Sequence, residues 1–352
     1  MIILAIETSC DDTCISIIKS KNKGIKFEIL SNVISSQVKL HAKYGGVYPS
    51  LAKREHQKNL PIALKKAEKI AGVLRFDLIA VTAGPGLEPC LWTGVNFAKE
   101  LADKLKLPII PVNHIEAHML ANWLLPINKN PKNIFPAICL VVSGGHTCLI
   151  LMRNIGKYKL IGETRDDAAG ECFDKAARVL GLGYPGGPVI AEQARRWKSK
   201  IPSPDGQIRL PRPMINQKNY DFSFSGLKTA ILYDFQNHSS STRNAQKYIR
   251  EMCFETQQAI IDVLIKKTIK AAKDFNAKTV ILGGGVTANN ELRKQFKSQI
   301  KNSKLKIQFL VPPKIFCTDN AAMVGVAAFF RQQRNKSLKI LQAITVNANL
   351  KI

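Results

Sequence analysis

Apolar and polar positions come in short blocks along this 352-residue chain, and the blocks repeat. Ile2–Ile6 is a continuous apolar run, the pattern of a strand buried on both faces. It enters the polar stretch Glu7-Thr8-Ser9-Cys10-Asp11-Asp12-Thr13, and Cys14–Ile18 returns as a second strand. Lys21-Asn22-Lys23-Gly24 then turns the chain into a third, Phe27–Ser35. From Pro49 to Ala71, Leu51, Leu60, Ala63, Leu64, Ala67 and Ile70 recur at helical spacing. Asp77–Thr82 reads as a strand ending in Ala83-Gly84-Pro85-Gly86. A helix over Thr93–Leu105 and a strand over Pro108–Val112 follow.

The middle of the chain repeats the opening. Ala137–Val142 is an apolar strand ending in Ser143-Gly144-Gly145-His146-Thr147; Cys148–Met152 returns, Asn154-Ile155-Gly156-Lys157 turns, and Tyr158–Gly162 is a third strand. Helices and Thr279–Leu282, running into Gly283-Gly284-Gly285, complete a second unit. Such a repeat predicts two related α/β domains facing each other across a cleft, 1–133 and 134–352, with Pro126–Pro136 as linker. The terminal helix, from Ala321 to Phe330, could belong to either domain by sequence, including packed back on the first.

Between the last strand of the first block and the linker lies His114-Ile115-Glu116-Ala117-His118. Histidines four apart on a helix share a face and can grip one cation. The same spacing also fits ordinary surface or core histidines. In a zinc-protease helix the general-base Glu directly follows the first His. Here Ile115 holds that place and Glu116 points off the metal face, which disfavours a metallopeptidase. A third ligand must come from elsewhere, and Asp319, in Phe316-Cys317-Thr318-Asp319-Asn320, is the candidate. Asp319 also stands where a helix N-cap would. Two His and one Asp leave open positions for a substrate oxygen, as in non-haem iron sites.

The glycine turns carry a second hint, since successive backbone N–H groups can cradle phosphate. The turn at Ser143-Gly144-Gly145 and the stretch Gly283-Gly284-Gly285-Val286-Thr287-Ala288-Asn289-Asn290 are the strongest instances. Neither a Rossmann fingerprint nor a Walker-A lysine is present, so a nucleotide is expected between the domains.

Charge sharpens the choice of partner. Fifty-two Lys plus Arg against 26 Asp plus Glu give a net +26, which points to a polyanion, most simply nucleic acid. A basic insertion near 195–222 carries Arg195, Arg196, Lys198, Lys200, Arg209 and Arg212 and could meet a nucleic-acid backbone or be a solvated linker. The eight cysteines form no C-x-x-C pair, and Met1–Ile6 is too short for a signal peptide. Reduced thiols in a cytoplasmic protein are therefore expected. No apolar run reaches the ~18 residues of a membrane span.

Longer motifs occur in a fixed order: Glu7–Thr13, His114–His118, Val142–Thr147, Asp166-Asp167-Ala168-Ala169-Gly170-Glu171 and Phe173-Asp174-Lys175. Tyr184-Pro185-Gly186-Gly187-Pro188, Asp221–Thr229 and Cys317–Asn320 continue the series. With these, the chain over about residues 1–335 closely resembles the bacterial tRNA N6-adenosine threonylcarbamoyltransferase (TsaD) family. The resemblance implies two duplicated actin-like, Hsp70-like (ASKHA) domains. It also implies transfer of a threonylcarbamoyl group from threonylcarbamoyl-AMP to N6 of the adenosine 3′ to the anticodon in tRNA. Carried over by motif, His114, His118 and Asp319 would hold one divalent metal, iron(II) or zinc. Val141, Val142, Ser143, Gly144, Gly145, Asp174, Gly187 and Asn289 would bind the adenylate or ATP. An inactive paralogue of the same fold (TsaB-like) and a small P-loop ATPase (TsaE-like) are the implied partners. As proton acceptors, Asp11, Asp12 and Glu171 are candidates, with turn-capping as the competing role for each.

Overall fold

The computed structural model describes residues 1–21, 26–124, 133–197, 208–303, 306–334 and 344–352. The chain divides into two compact units. The first comprises Met1–Asn133, Asn154–Tyr158 and Pro312–Ile352, and the second Ile134–Arg153 with Lys159–Val311.

The first unit is built on strands β1 (Ile2–Glu7), β2 (Asp12–Lys21), β3 (Lys26–Ser36), β4 (Leu78–Gly84) and β5 (Ile109–Asn113), in the order β3-β2-β1-β4-β5. β1 pairs antiparallel with β2 and parallel with β4, which in turn runs parallel to β5. β1 and β4 are buried along nearly their whole length, which is why their sequences are unbroken apolar runs rather than alternating ones. On one face Leu4, Ile6, Ile15, Ile17, Ile79 and Val81 pack with Leu60, Ala63 and Ala67 of the Pro49–Ala71 helix. Val95 and Ala98 of the Glu88–Leu105 helix join the same core. That second helix begins before the expected Thr93, because Pro89 sits in its first turn, where a missing N–H costs nothing.

The opposite face of this sheet carries the helix Ala321–Arg334, and Pro312–Ile352 fall in the first unit, the packing-back that the sequence left open. Its run of small residues permits a close approach: a Cβ on Gly325 would come 2.7 Å from Ile18 Cδ1.

The second unit repeats the arrangement with β6 (Ala137–Val142), β7 (Thr147–Asn154), β8 (Lys157–Glu163), β9 (Thr279–Gly283) and β10 (Gln308–Leu310). Their order, β8-β7-β6-β9-β10, is the first sheet's order with each strand replaced by its counterpart. β6 is antiparallel to β7 and parallel to β9, as β1 is to β2 and β4. The core of this unit is completed by helices Ala169–Val179, Gly186–Arg196, Ser225–Asn237 and Gln246–Asp274. All eight cysteines are free thiols and seven are buried. Most of the expected linker Pro126–Pro136 lies outside the described residues.

Candidate metal centre and ligand loops

β5 ends in Asn113, whose Oδ1 accepts the N–H groups of Ile115 at 2.8 Å and Glu116 at 3.2 Å. That cap starts the helix His114–Leu120 directly at the strand end, and every residue of the helix is buried. His114 and His118 therefore face the same way one turn apart, their rings 4.5 Å between centroids. Asp319 closes the group: its Oδ1 lies 3.6 Å from His114 Nε2 and 3.3 Å from His118 Nε2. The three ligand atoms fall within 4.8 Å of one another, as needed for bonds of ~2.0–2.2 Å to one ion. Asp319 is not the helix cap. That task falls to Asn320, whose Oδ1 accepts the Met323 N–H at 3.1 Å. Glu116 turns off the metal face and accepts the Tyr158 hydroxyl at 2.8 Å and an Arg334 N–H at 3.2 Å.

Electrostatics favour a cation here. Among the described residues the fully buried His118 finds no hydrogen-bond partner for Nδ1 and only the Asp319 carboxylate, at 3.3 Å, beside Nε2, which is costly unless something else satisfies the ring. Burial holds the His118 imidazole below its ordinary pKa, and the neighbouring His114 pushes the same way. For His114, burial alone pulls downward, but the carboxylates of Glu7 and Asp319 outweigh it and lift the ring to about 9. Burial would raise Glu7, yet the charge and hydrogen bond of His114 win and lower it. Without a metal, one proton thus sits on His114 between two carboxylates; a divalent ion at the Nε2 atoms would displace it. The donor set fits such an ion.

Glu7, fully buried at the end of β1, escaped the sequence reading as a site residue. The signal was present: a carboxylate closing an otherwise apolar buried strand needs partners, and it finds His114, Thr82 and the Ser9 N–H. The polar loop that follows is tied down by His56, whose Nε2 donates to Cys10 O at 2.9 Å while Nδ1 accepts from the Thr13 hydroxyl at 2.8 Å. In this loop Asp11 Oδ2 and Asp12 Oδ1 are buried without hydrogen-bond partners among the described residues. Burial first, then the negative charges of Asp319, Asp11 and Glu7, push Asp12 up to about 7. Asp11 is raised for the same reasons, burial and Asp319.

In the second unit Val141 and Val142 are buried within β6, and Ser143-Gly144-Gly145 turns into β7. Ser143 N–H donates to His146 O, and its hydroxyl oxygen accepts the His146 N–H. Gly144 and Gly145 are exposed, and a Cβ on either would meet nothing within 4 Å. Two further glycines press against this strand end. A Cβ on Gly170 would lie 2.4 Å from Ser143 O, and one on Gly284, at φ +90°, 2.4 Å from Val142 O. Asp174 Oδ1 accepts the Gly186 N–H at 2.7 Å, holding the glycine turn beside the open Gly187. Asn289 caps the helix Asn290–Asn302, accepting from Glu291 and Leu292 and donating to Gln257. Glu171 accepts the Ala168 N–H and pairs with Lys175 at 2.9 Å, so its carboxylate is occupied by a local cap and an ion pair.

A family model described as TsaD, tRNA N6-adenosine threonylcarbamoyltransferase, matches residues 28–326. The chain belongs to this family. It is 46% identical over 331 residues to the tRNA N6-adenosine threonylcarbamoyltransferase of Thermosipho africanus, covering 94% of each chain. The enzyme of Syntrophomonas wolfei is 45% identical, with 94% of this chain and 92% of that one covered. For Geobacillus kaustophilus the figures are 42%, 99% and 96%. Among solved structures, full-length HypF with phosphate and nucleotide bound superposes with a TM-score of 0.58 at 12% identity, over 96% of this chain and 56% of that one. HypF of T. kodakarensis gives 0.55 at 14%, over 95% and 48%. At such identities the likeness is one of fold, the duplicated actin-like α/β arrangement.

As a threonylcarbamoyltransferase-family chain it is a transferase, and Glu116 of the His114–Leu120 helix is engaged by Tyr158 and Arg334. The basic insertion is only partly seen: Lys198 and Lys200 lie outside the described residues. Arg195 and Arg196 pair with Glu192. Arg212 is held by Glu255 and Asp262. Among the described residues no helix is long and apolar enough to cross a membrane.

Proposed function

We propose that this chain transfers the threonylcarbamoyl group of threonylcarbamoyl-AMP to N6 of the adenosine 3′ to the anticodon, in tRNAs reading codons that begin with A. The observation that carries the reading is the convergence of His114, His118 and Asp319 on one point in a chain of this family. When bound there, one divalent ion, Fe(II) in preference to Zn(II), supplies Lewis-acid stabilisation of the charge that develops on the carbamoyl oxygen.

The remaining chemistry falls to the chain's own groups. The adenine N6 lone pair is delocalised into the ring, so the amine attacks well only as it loses a proton. The new N–C bond forms while the C–O bond to phosphate breaks, the N6 proton leaves to a base, and AMP departs. Asp12, held near 7, is poised as that base at physiological pH, with Asp11 as its neighbour. Glu171 is the weaker candidate because its carboxylate is already engaged. The open backbone at Ser143, Gly144, Gly145 and Gly187 suits phosphate oxygens, with Asp174 and Asn289 fixing the turns around the adenylate. The net +26 serves the tRNA backbone. A TsaB-like paralogue and a TsaE-like ATPase complete the assembly, in the cytoplasm.

The test is reconstitution with those partners, ATP, threonine, bicarbonate and tRNA, followed by nucleoside mass spectrometry. The expected product is N6-threonylcarbamoyladenosine. Unchanged nucleosides in the complete mixture would overturn the reading.

A further inference from the structure

Glu7 is a charged side chain with no exposure to solvent, and both its oxygens face hydrogen-bond donors. One oxygen, Oε2, faces His114 Nδ1 at 3.0 Å and accepts the Thr82 hydroxyl at 2.6 Å. The other, Oε1, accepts the Ser9 N–H at 2.5 Å. Ser9 Oγ lies a further 3.3 Å from the same ring nitrogen of His114. A carboxylate accepts only, so the proton between Glu7 and His114 belongs to Nδ1. That leaves His114 Nε2, 3.6 Å from Asp319 Oδ1, as the nitrogen that yields its proton to a cation.

We propose that Glu7 is a positioning residue of the metal centre: its carboxylate fixes the tautomer and ring orientation of His114, so that Nε2 is the atom presented to the cation. The inference rests on the metal reading given above and extends it by one layer. Carboxylates that hold the far nitrogen of a ligating histidine sharpen metal affinity by roughly 10–100-fold. Glu7 is well built for this, because β1 is buried throughout and the loop after it is pinned by His56. Thr82, on the neighbouring strand β4, locks the carboxylate against rotation.

The geometry makes Glu7→Gln informative although it is isosteric. Both oxygens of Glu7 face donors, and an amide has only one acceptor end. If the NH2 group takes the Oε2 position it meets His114 Nδ1 and favours the wrong tautomer. In the other orientation it opposes the Ser9 N–H. Either way the arrangement loses a partner.

The experiment titrates Co2+ or Zn2+ alone into the full chain, as wild type, Glu7→Gln and Thr82→Val, with a competing chelator. We expect Glu7→Gln to lose about 10–100-fold in affinity and to shift the visible Co2+ spectrum, with the metal-free melting curve still cooperative. Thr82→Val removes a donor to the same oxygen but keeps the charge, and should stay within about threefold of wild type. Side-chain 15N spectra of the Zn2+-loaded wild type should show His114 protonated at Nδ1, a readout that does not depend on any variant folding. Equal affinity and an unchanged spectrum in Glu7→Gln overturn the assignment, as does protonation at Nε2 in the loaded wild type. Absence of metal binding by the wild type would instead overturn the centre itself.

Discussion

Asp319 and Asn320 divide two tasks between adjacent residues. Asn320 accepts the Met323 N–H and donates to Phe316 O and Thr318 O, and so starts the helix Ala321–Arg334. Asp319, relieved of capping, sets its carboxylate against the two imidazoles. The separation of roles predicts different phenotypes. Asp319→Asn should abolish metal binding, read by elemental analysis, while circular dichroism shows an intact fold. Asn320→Ala should lower stability by about 0.5–2 kcal/mol or more, the usual loss of a cap, and weaken metal binding only through displacement of its neighbour. A fully metal-competent Asp319→Asn would remove Asp319 from the site.

Asp12 yields a pH prediction. Its carboxyl ordinarily titrates near 3.8 and is pushed up to about 7 in the fold, by burial and then by Asp319, Asp11 and Glu7. The native state therefore holds a proton that the unfolded chain has released over roughly pH 4–7, and stability falls as pH rises through that window. The cost persists above it. Asp12→Asn should raise the melting temperature of the metal-free protein more at pH 8 than at pH 5. A bound cation should reduce the difference, since it favours the ionised form. An Asp12→Asn melting shift independent of pH would mean that the carboxyl is not perturbed.

Much of this was legible in the sequence for identifiable reasons. β1, β4, β6 and β9 are buried along nearly their whole length, so each is a mostly apolar run rather than an alternating one. The helix Pro49–Ala71 was readable to the residue, because its apolar spacing starts at a proline and stops at Gly72 in a left-handed cap. The repeated strand-turn-strand order translated directly into two sheets of one topology. What stayed hidden depends on distant contacts. Nothing local shows that residues 312–352 join the first unit, because Gly325 meets Ala5 and Ile18 only through the fold. Asp319 looked like a cap since Asp and Asn are equally good caps, and only geometry chose Asn320. Glu7 was missed because its partners His114 and Thr82 come from other strands and turns.

The glycines separate fold from ligand contact. Gly284 sits at φ +90° with Val142 O where a Cβ would go, so Gly284→Ala should destabilise the second unit by roughly 1–3 kcal/mol. Gly144 and Gly187 face open space, and Gly144→Ala or Gly187→Ala should leave stability within about 0.5 kcal/mol of wild type. If phosphate oxygens approach this backbone, the added methyl groups will weaken adenylate binding while thermal melting stays unchanged. Unaltered nucleotide affinity in both variants would move the adenylate elsewhere.

Glu116 tests the metallopeptidase alternative from the other side. It lies within the His114–His118 turn, yet its Oε1 is taken by the Tyr158 hydroxyl and Arg334. Burial first, and then the Glu116 charge, raise the Tyr158 phenol well above its ordinary pKa, so the proton stays on tyrosine and the carboxylate remains an acceptor. A carboxylate held in this way orders the back of the helix and is not placed to activate water at the metal face. Glu116→Ala should therefore cost about 1–3 kcal/mol, the loss of a buried charged acceptor that leaves the Tyr158 hydroxyl unpaired. Glu116→Gln, which keeps an acceptor for that hydroxyl, should recover part of the loss. In both variants metal content should match wild type under equal loading. Chelator-sensitive proteolysis that disappears in Glu116→Gln while metal is retained would make Glu116 a general base after all.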